Sequence, residues 1–148
     1  MQDIIIFDID GVLANSDHRE HLLPDWDAFF EECEDDAPKD IIDLPYLLSM
    51  CLGCEIVLLT TRPDSIREKT ENWLKRNNVY YNRLIMATND FPPSFSAAVF
   101  KKKVVDDLAK TWNILYIFED DPKTIRALEE YKVVPILSGI YTVEERKW

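Results

Sequence analysis

The chain has 148 residues, of which 47% are hydrophobic and 30% charged, and its formal net charge is −11. This length suffices for one domain with a substantial core and excludes two domains of ordinary size. An acidic chain without a basic tail lacks the electrostatic features of a protein that binds nucleic acid tightly. We therefore expect a single domain over residues 1–148 whose contacts with anionic substrates are local.

Features of membrane and secreted proteins are missing from the sequence. It contains no run of about 18 apolar residues, and a strand-like segment begins directly after Met1 without a basic leader. The three cysteines leave one unpaired in any pairing scheme, which suits a reducing compartment. The sequence therefore predicts a cytoplasmic protein that does not contact a membrane, and it leaves the oligomeric state open.

Short apolar runs alternate with helical patterns along the chain, and such runs are typical of parallel strands buried on both faces. In chain order, the predicted strands are residues 4–8, 55–60, 83–87, 114–119 and 133–137. The helices predicted between them are residues 65–77, 97–112 and 122–131. This alternation predicts a three-layer α/β sandwich around a parallel, Rossmann-like sheet.

The segment between residues 15 and 43 departs from this alternation. It contains an aromatic helix pattern at residues 25–34, followed by the polar stretch EDDAPKD. A further helix is predicted at residues 43–53, where a proline lies near its start and a glycine at its end. We predict that residues 15–43 form a small helical insertion or cap, because they are too few for an independent domain.

Polar and charged side chains follow the ends of several predicted strands. They are Asp8 and Asp10 after the first strand, Thr60, Thr61 and Arg62 after the second, and Glu119, Asp120 and Asp121 after the fourth. A lysine cluster at residues 101–103 lies on the helix before the fourth strand. Ligands of parallel sheets gather outside the carboxyl ends of the strands, so we expect these side chains to meet at one edge.

Several carboxylates at one edge would repel one another and raise one another's pKa values unless a cation lies among them. Mg²⁺ resolves this repulsion, because it binds a few carboxylates and keeps positions for water and phosphate oxygens. A helix cap or a solvated turn explains any single pair of these residues about as well, but it explains the four segments together poorly. The pattern therefore predicts a magnesium site for a phosphate ester.

Four motifs, in this order, resemble those of the haloacid dehalogenase (HAD) superfamily: DIDGV at residues 8–12, VLLTTR at 57–62, a helix lysine, and IFEDD at 117–121. The chain is most similar to the small phage and bacterial phosphatases akin to the 3′-phosphatase module of polynucleotide kinase. In those proteins a similar Thr/Ser-x-Arg follows the second strand and a similar Asp-Asp the fourth. The sequence contains no GxxxxGK[ST] loop, which the kinase half would need.

The resemblance implies a Mg²⁺-dependent phosphomonoesterase with an aspartyl-phosphate intermediate. Asp8 would be the nucleophile, and Asp10 the general acid and then the general base. Thr60 would donate a hydrogen bond to a phosphoryl oxygen, while one lysine would neutralise its charge. Mg²⁺ would be held by Asp8, the backbone carbonyl of Asp10 and Asp120, with Asp121 binding directly or from the outer shell.

Two of these assignments depend on register. Consecutive helix residues point about 100° apart, so only one of the three lysines can reach the phosphate. We choose Lys101, because it follows Phe100 on the apolar side of the helix. In the EDD segment, Asp120 is the predicted metal ligand because Glu119 still belongs to the strand and Asp121 precedes a helix-opening proline. The sequence leaves both choices open.

Four further residues are candidates for substrate contacts: Thr61, Arg62, Arg19 and His18. Arg62, which has a counterpart in the similar phosphatases, could hold a phosphate through two parallel hydrogen bonds. Arg19 and His18 form a locally basic stretch in an acidic chain, and a surface cluster would explain that stretch without any substrate.

The substrate is predicted to be a nucleic-acid 3′-phosphate or a nucleotide, since a small cap leaves the site open to bulky esters. The net charge of −11 favours small esters instead, so a 5′(3′)-nucleotidase or another small-molecule phosphatase is the alternative. A phospho-acceptor regulatory domain or an inactive binding module is the non-enzymatic alternative. A receiver domain, however, has no general acid two residues after its acceptor, and its acceptor follows a later strand.

Overall fold

The computed structural model of the chain describes residues 1–88 and 96–139. Its strands are β1 (Asp3–Phe7), β2 (Ala14–Asn15), β3 (Ala37–Pro38), β4 (Glu55–Pro63), β5 (Arg83–Ala87), β6 (Asn113–Glu119) and β7 (Val133–Pro135). Its α-helices are α1 (Trp26–Glu31), α2 (Leu44–Leu52), α3 (Arg67–Arg76), α4 (Ala97–Ala109) and α5 (Pro122–Ala127). Among the helices of this part, none combines the length and the apolar character that a membrane span requires. The predicted domain also includes residues 89–95 and 140–148, which lie outside the described part, so its extent stays a prediction.

β1 lies at the centre of a five-stranded parallel sheet with the order β5-β4-β1-β6-β7. It pairs with β4 on one side and with β6 on the other, and residues 4–7 are at most 1% exposed. A strand covered on both faces needs an apolar side chain at every position, which explains why IIIF does not alternate with polar residues. β2 and β3 pair antiparallel as a separate hairpin.

Two apolar clusters cover the two faces of the sheet, because alternate residues of β1 point to opposite sides. Phe7 packs in one cluster with Trp73 of α3, and Ile6 packs in the other with Phe100 of α4. Burying a side chain of this size contributes roughly 2–3 kcal/mol to stability. α2 lies on the same face as α3, and α5 packs against α4. The predicted three-layer α/β sandwich is therefore confirmed.

The ends of several elements differ from the predicted ones. β4 continues to Pro63 instead of ending at Thr60, because Pro63 pairs again with Ala87 after a register shift. β7 ends at Pro135, since proline has no N–H with which to continue the ladder. The helices predicted to reach residues 112 and 131 end earlier, at Ala109 and Ala127, and pass into turns.

The predicted insertion at residues 15–43 consists of α1 and two 3₁₀ turns between the strands of the β2–β3 hairpin. Phe29 of α1 packs with Ile66 of the main domain. The indole N–H of Trp73 donates a hydrogen bond to the backbone carbonyl of Asp36 at 2.8 Å. These contacts fix the insertion against α3, next to the carboxyl end of β4.

Candidate active site

The carboxyl ends of β1, β4 and β6 lie side by side because these strands are neighbours in the sheet. Asp8 follows β1, Thr60 lies in the last part of β4, and Glu119 and Asp120 stand at the end of β6. All four side chains are buried. The sheet therefore brings together polar side chains from three separate segments, as the sequence predicted for one edge.

Lys101 is the lysine that reaches this edge. Its Nζ donates a hydrogen bond to Glu119 Oε2 at 2.6 Å and lies 3.0 Å from Asp8 Oδ1. Burial disfavours the ammonium, but Asp8 and Glu119 outweigh that effect and raise the pKa of Lys101 above its ordinary value. Lys102 and Lys103 instead form surface ion pairs with acidic residues of their own helix. The helix thus directs one lysine of the three into the site.

Asp8, Glu119 and Asp120 form a compact cluster of carboxylates. Each offers an oxygen atom, and these three atoms lie within 4.8 Å of one another. Burial and the negative charge of Glu119 raise the pKa values of Asp8 and Asp120 well above the ordinary value. Burial acts in the same direction on Glu119, but Lys101 outweighs it and lowers the pKa of Glu119. Lys101 therefore lies against two of the three carboxylates and offsets part of their charge.

The cluster fits a divalent cation. Asp120 Oδ2 is fully buried and has no hydrogen-bond partner among the described residues, although buried carboxylate oxygens are normally satisfied. An oxygen-rich, negatively charged set of donors is the kind of site that Mg²⁺ prefers. The residues present thus match the predicted cofactor, and Glu119 belongs to the set although the sequence prediction had left it out.

Asp121, a predicted ligand, lies at the start of α5. Its Oδ1 accepts a hydrogen bond from Lys123 N at 3.1 Å, and its Oδ2 accepts one from Thr124 Oγ1 at 2.6 Å. These contacts make Asp121 the N-cap of the helix. The structure places Glu119, and not Asp121, with the other two carboxylates. A role of Asp121 in binding metal stays a prediction.

Asp10 is bound by arginines and is not one of the three clustered carboxylates. Its carboxylate accepts hydrogen bonds from Arg62 Nε at 3.0 Å, from Arg62 Nη2 at 2.7 Å and from Arg19 Nη2 at 2.6 Å. Burial alone would raise the pKa of Asp10, but the two guanidinium groups outweigh it and hold that pKa far below the usual range. The pKa values of the two aspartates of the DxD motif are therefore shifted in opposite directions, upward for Asp8 and downward for Asp10.

Two residues predicted to contact substrate, Arg19 and Arg62, have fully buried side chains. His18 is 44% exposed, and its Nε2 lies 2.6 Å from Asp36 Oδ1. Asp36 also binds Arg19 and Arg62, and sequence reasoning missed it. It stands in an acidic stretch where no pattern separates it from its neighbours, and only the folding of the insertion buries it.

Thr60 is buried, and its Oγ1 accepts a hydrogen bond from the backbone N–H of Arg62 at 3.1 Å. The adjacent Thr61 is half-buried. The catalytic role of Thr60 and contact of Thr61 with substrate stay predictions.

Gly11 gives the chain room to pass over Asp120. Its φ of 83° lies in the left-handed region, which glycine adopts without strain. A Cβ built on Gly11 would lie 1.9 Å from Asp120 Oδ2 and 2.9 Å from Ser138 Oγ. The glycine of DIDGV is therefore required both by the turn after Asp10 and by the close approach of Asp120.

The substitution Gly11→Ala should lower the free energy of unfolding by more than the roughly 1–2 kcal/mol that a left-handed alanine costs. Urea denaturation measures the change. Gly53→Ala is the matched control, because Gly53 has a φ of 64° but no atom within 4 Å of the position that a Cβ would occupy. Equal losses in the two variants would show that contact with Asp120 does not constrain residue 11.

Solved structures share this fold at low sequence identity. The structure titled "Structure of the Pnkp1/Rnl/Hen1 RNA repair complex" matches with a TM-score of 0.78 and 16% identity, over 95% of this chain and 44% of that one. A second Pnkp1/Rnl/Hen1 complex matches with a TM-score of 0.78 and 18% identity, over 95% and 48% of the two chains. The class C acid phosphatase from Bacillus anthracis matches with a TM-score of 0.71 and 14% identity, over 95% and 68%. The chain thus spans less than half the length of the two RNA-repair chains. A comparison with curated proteins found no match.

The fold and the site define the class of this protein as the HAD superfamily. Residues 2–136 match the family described as "Polynucleotide kinase PNKP phosphatase domain". Because this match spans most of the chain, the chain belongs to that family. The resemblance seen in the four sequence motifs is thereby confirmed, and the receiver-domain alternative is set aside.

Proposed function

We propose that this phosphatase hydrolyses a nucleic-acid 3′-phosphate or a nucleotide in two displacements, with Asp8 as the nucleophile and Mg²⁺ as the cofactor. The observation that carries the proposal is the position of Asp8 beside both Lys101 and the carboxylates of Glu119 and Asp120. A carboxylate nucleophile replaces one difficult hydrolysis by two easier steps. Lys101 supplies a fixed positive charge beside the attacking oxygen.

In the first displacement, a carboxylate oxygen of Asp8 forms a bond to phosphorus while the ester P–O bond breaks. Asp10 gives a proton to the departing oxygen. In the second displacement, water attacks the phosphorus, Asp10 takes a proton from that water, and the bond between Asp8 and phosphorus breaks. The low pKa of Asp10 suits the second displacement and makes its protonated form scarce in the ligand-free protein.

Asp8 and Asp120 would hold Mg²⁺ together with the backbone carbonyl of Asp10, and Glu119 stands beside them. When bound, Mg²⁺ offsets the negative charge of the site and of the phosphoryl group. Thr60 would donate its hydroxyl hydrogen to a phosphoryl oxygen, and Lys101 would neutralise part of its charge. Their buried positions exclude water, which strengthens both interactions.

The proposed substrate class has support from the family and from one structurally similar protein. The family is named for a polynucleotide kinase, and a structurally similar chain belongs to an RNA repair complex. The net charge of −11 favours a small ester and keeps the nucleotidase alternative open. The two substrates differ in size and in charge, so turnover separates them.

A phosphate-release assay with Mg²⁺ should show turnover of 3′-phosphorylated oligonucleotides at a higher kcat/KM than of nucleoside monophosphates or sugar phosphates. Exhaustive chelation should abolish the activity, since the buried carboxylates then repel one another and the phosphoryl group. Faster turnover of mononucleotides than of any oligonucleotide would replace the polynucleotide proposal by the nucleotidase one. Activity that survives chelation would contradict the role of Mg²⁺.

A further inference from the structure

Two carboxylates and two guanidinium groups form a buried network beside the carboxylate cluster. Asp10 and Arg62 come from the main domain, whereas Arg19 and Asp36 come from the insertion. The side chains of Arg19, Arg62 and Asp36 have no exposed surface, and that of Asp10 is 12% exposed. Asp10 is therefore the member of the network that faces the open side of the site.

Every nitrogen of the Arg19 guanidinium has a partner. Nε donates to Asp36 Oδ1 at 2.8 Å, and Nη1 donates to the backbone carbonyl of Phe29 at 2.6 Å. Nη2 donates both to Asp10 Oδ1 and to Asp36 Oδ2. The Phe29 ring lies below the group, with its centroid 4.2 Å from Arg19 Cζ. Asp36 thus binds the edge of the guanidinium formed by Nε and Nη2, and Nη2 also reaches Asp10.

The Arg62 guanidinium is also held by hydrogen bonds from each of its nitrogen atoms. Its Nε and Nη2 donate to Asp10, while Nη1 donates to Thr70 Oγ1 at 3.3 Å. Asp36 Oδ2 accepts a further bond from Arg62 Nη2 at 3.4 Å. Both guanidinium groups that fix Asp10 are therefore in contact with the same second carboxylate.

We propose that Asp36 is a positioning residue for Asp10. Two buried guanidinium groups that shared Asp10 alone would repel each other, and a second carboxylate between them offsets this repulsion. The hydrogen bonds of Asp36 set the planes of both groups, and those planes fix the direction of the Asp10 carboxylate. Trp73 fixes Asp36 in turn, because its indole N–H donates a hydrogen bond to the backbone carbonyl of Asp36.

This inference rests on the proposed role of Asp10 in proton transfer. A proton donor acts only within hydrogen-bond reach of the departing oxygen, so an error in its direction costs rate. The insertion consequently does more than cover the site. It supplies Asp36 and Arg19, which are half of the network that aims Asp10.

The test compares Asp36→Asn with Asp35→Asn, which removes the same charge from the neighbouring, exposed residue. Each variant is assayed on a nitrophenyl phosphate, whose leaving group needs little protonation, and on an alkyl phosphate, which needs a proton donor. The rate measured is that of the first displacement, as release of the alcohol or phenol in a single turnover, because the second displacement is common to both esters. For Asp36→Asn we expect this rate on the alkyl ester to fall by about 10²-fold, the order that misplacing a catalytic group costs. We expect the same rate on the aryl ester to change by less than about threefold. Asp35→Asn should behave as the wild-type protein.

The readout is the first-displacement rate on the alkyl ester divided by that on the aryl ester, because a smaller folded fraction lowers both rates equally. Asp36→Glu keeps the charge but moves it by one methylene, and the ratio should fall in this second variant also. An unchanged ratio in the folded variants would overturn the positioning role. If Asp10→Asn shows the selective loss and the Asp36 variants do not, the inference fails and the proposed function stands. If Asp10→Asn shows no selective loss, the proposed role of Asp10 as proton donor is wrong, and the inference about Asp36 is overturned with it.

Discussion

Asp8→Asn is expected to abolish turnover, with kcat reduced by more than about 10⁴-fold, the order seen when an enzyme loses its nucleophile. An amide oxygen does not form the bond to phosphorus that the carboxylate forms. The fold should persist, because an asparagine oxygen can still accept the hydrogen bond that Ile9 N donates to Asp8 Oδ1 at 2.8 Å. Phosphate release, measured under single-turnover conditions, gives the result.

Thermal unfolding without divalent cations provides the control for this variant. Asp8 is one of three buried carboxylates that lie within 4.8 Å of one another, and Lys101 keeps Glu119 as a partner after the change. The melting temperature should therefore not fall, since the substitution removes a repelling charge. Substantial turnover by a folded Asp8→Asn protein would exclude Asp8 as the nucleophile.

Asp10→Asn is expected to slow turnover by roughly 10²–10⁴-fold on alkyl phosphates, which is the usual contribution of general acid–base catalysis. The loss in the first displacement should be smallest for aryl phosphates, because their leaving groups depart without a proton. The change also leaves Arg19 and Arg62 with one carboxylate fewer, so the free energy of unfolding should fall by about 3 kcal/mol. Rates on both ester types and urea denaturation measure these effects.

The stability loss and the rate loss in Asp10→Asn can be separated. Assays at a temperature where the variant is fully folded exclude unfolding as the cause of slow turnover. Equal losses of the first-displacement rate on an alkyl and an activated aryl phosphate would show that Asp10 does not protonate the leaving group. Asp10 would then be a structural partner of the two arginines.

The sheet and the order of its motifs were predictable because each depends on local sequence. The run IIIF is apolar at every position because β1 is buried on both faces, and such a run indicates a central parallel strand. Gly11 follows the DxD pair because the turn needs a positive φ. Strand ends of a parallel sheet meet at one edge, so the sequence also predicted that Asp8, Thr60 and Asp120 would lie near one another.

The choice among neighbouring residues depended on the tertiary structure. Lys101 enters the site because α4 directs that side chain towards Asp8, while Lys102 and Lys103 remain at the surface. Glu119 joins the carboxylate cluster and Asp121 caps α5. The sequence EDD alone does not show which of its three carboxylates joins the cluster, because the direction of a side chain at a strand end depends on how the next helix packs.

By itself, then, the sequence determined the parallel α/β fold, the HAD motifs and the edge of the sheet where they meet, since periodicity and turn residues act over short distances. Only the tertiary structure decided which partners each charge has. Arg62 lies near Asp10 because β4 is the neighbour of β1, and Arg19 and Asp36 reach them because the insertion packs against Trp73. Burial then converts these contacts into large pKa shifts, since charges removed from water interact strongly over a few ångströms.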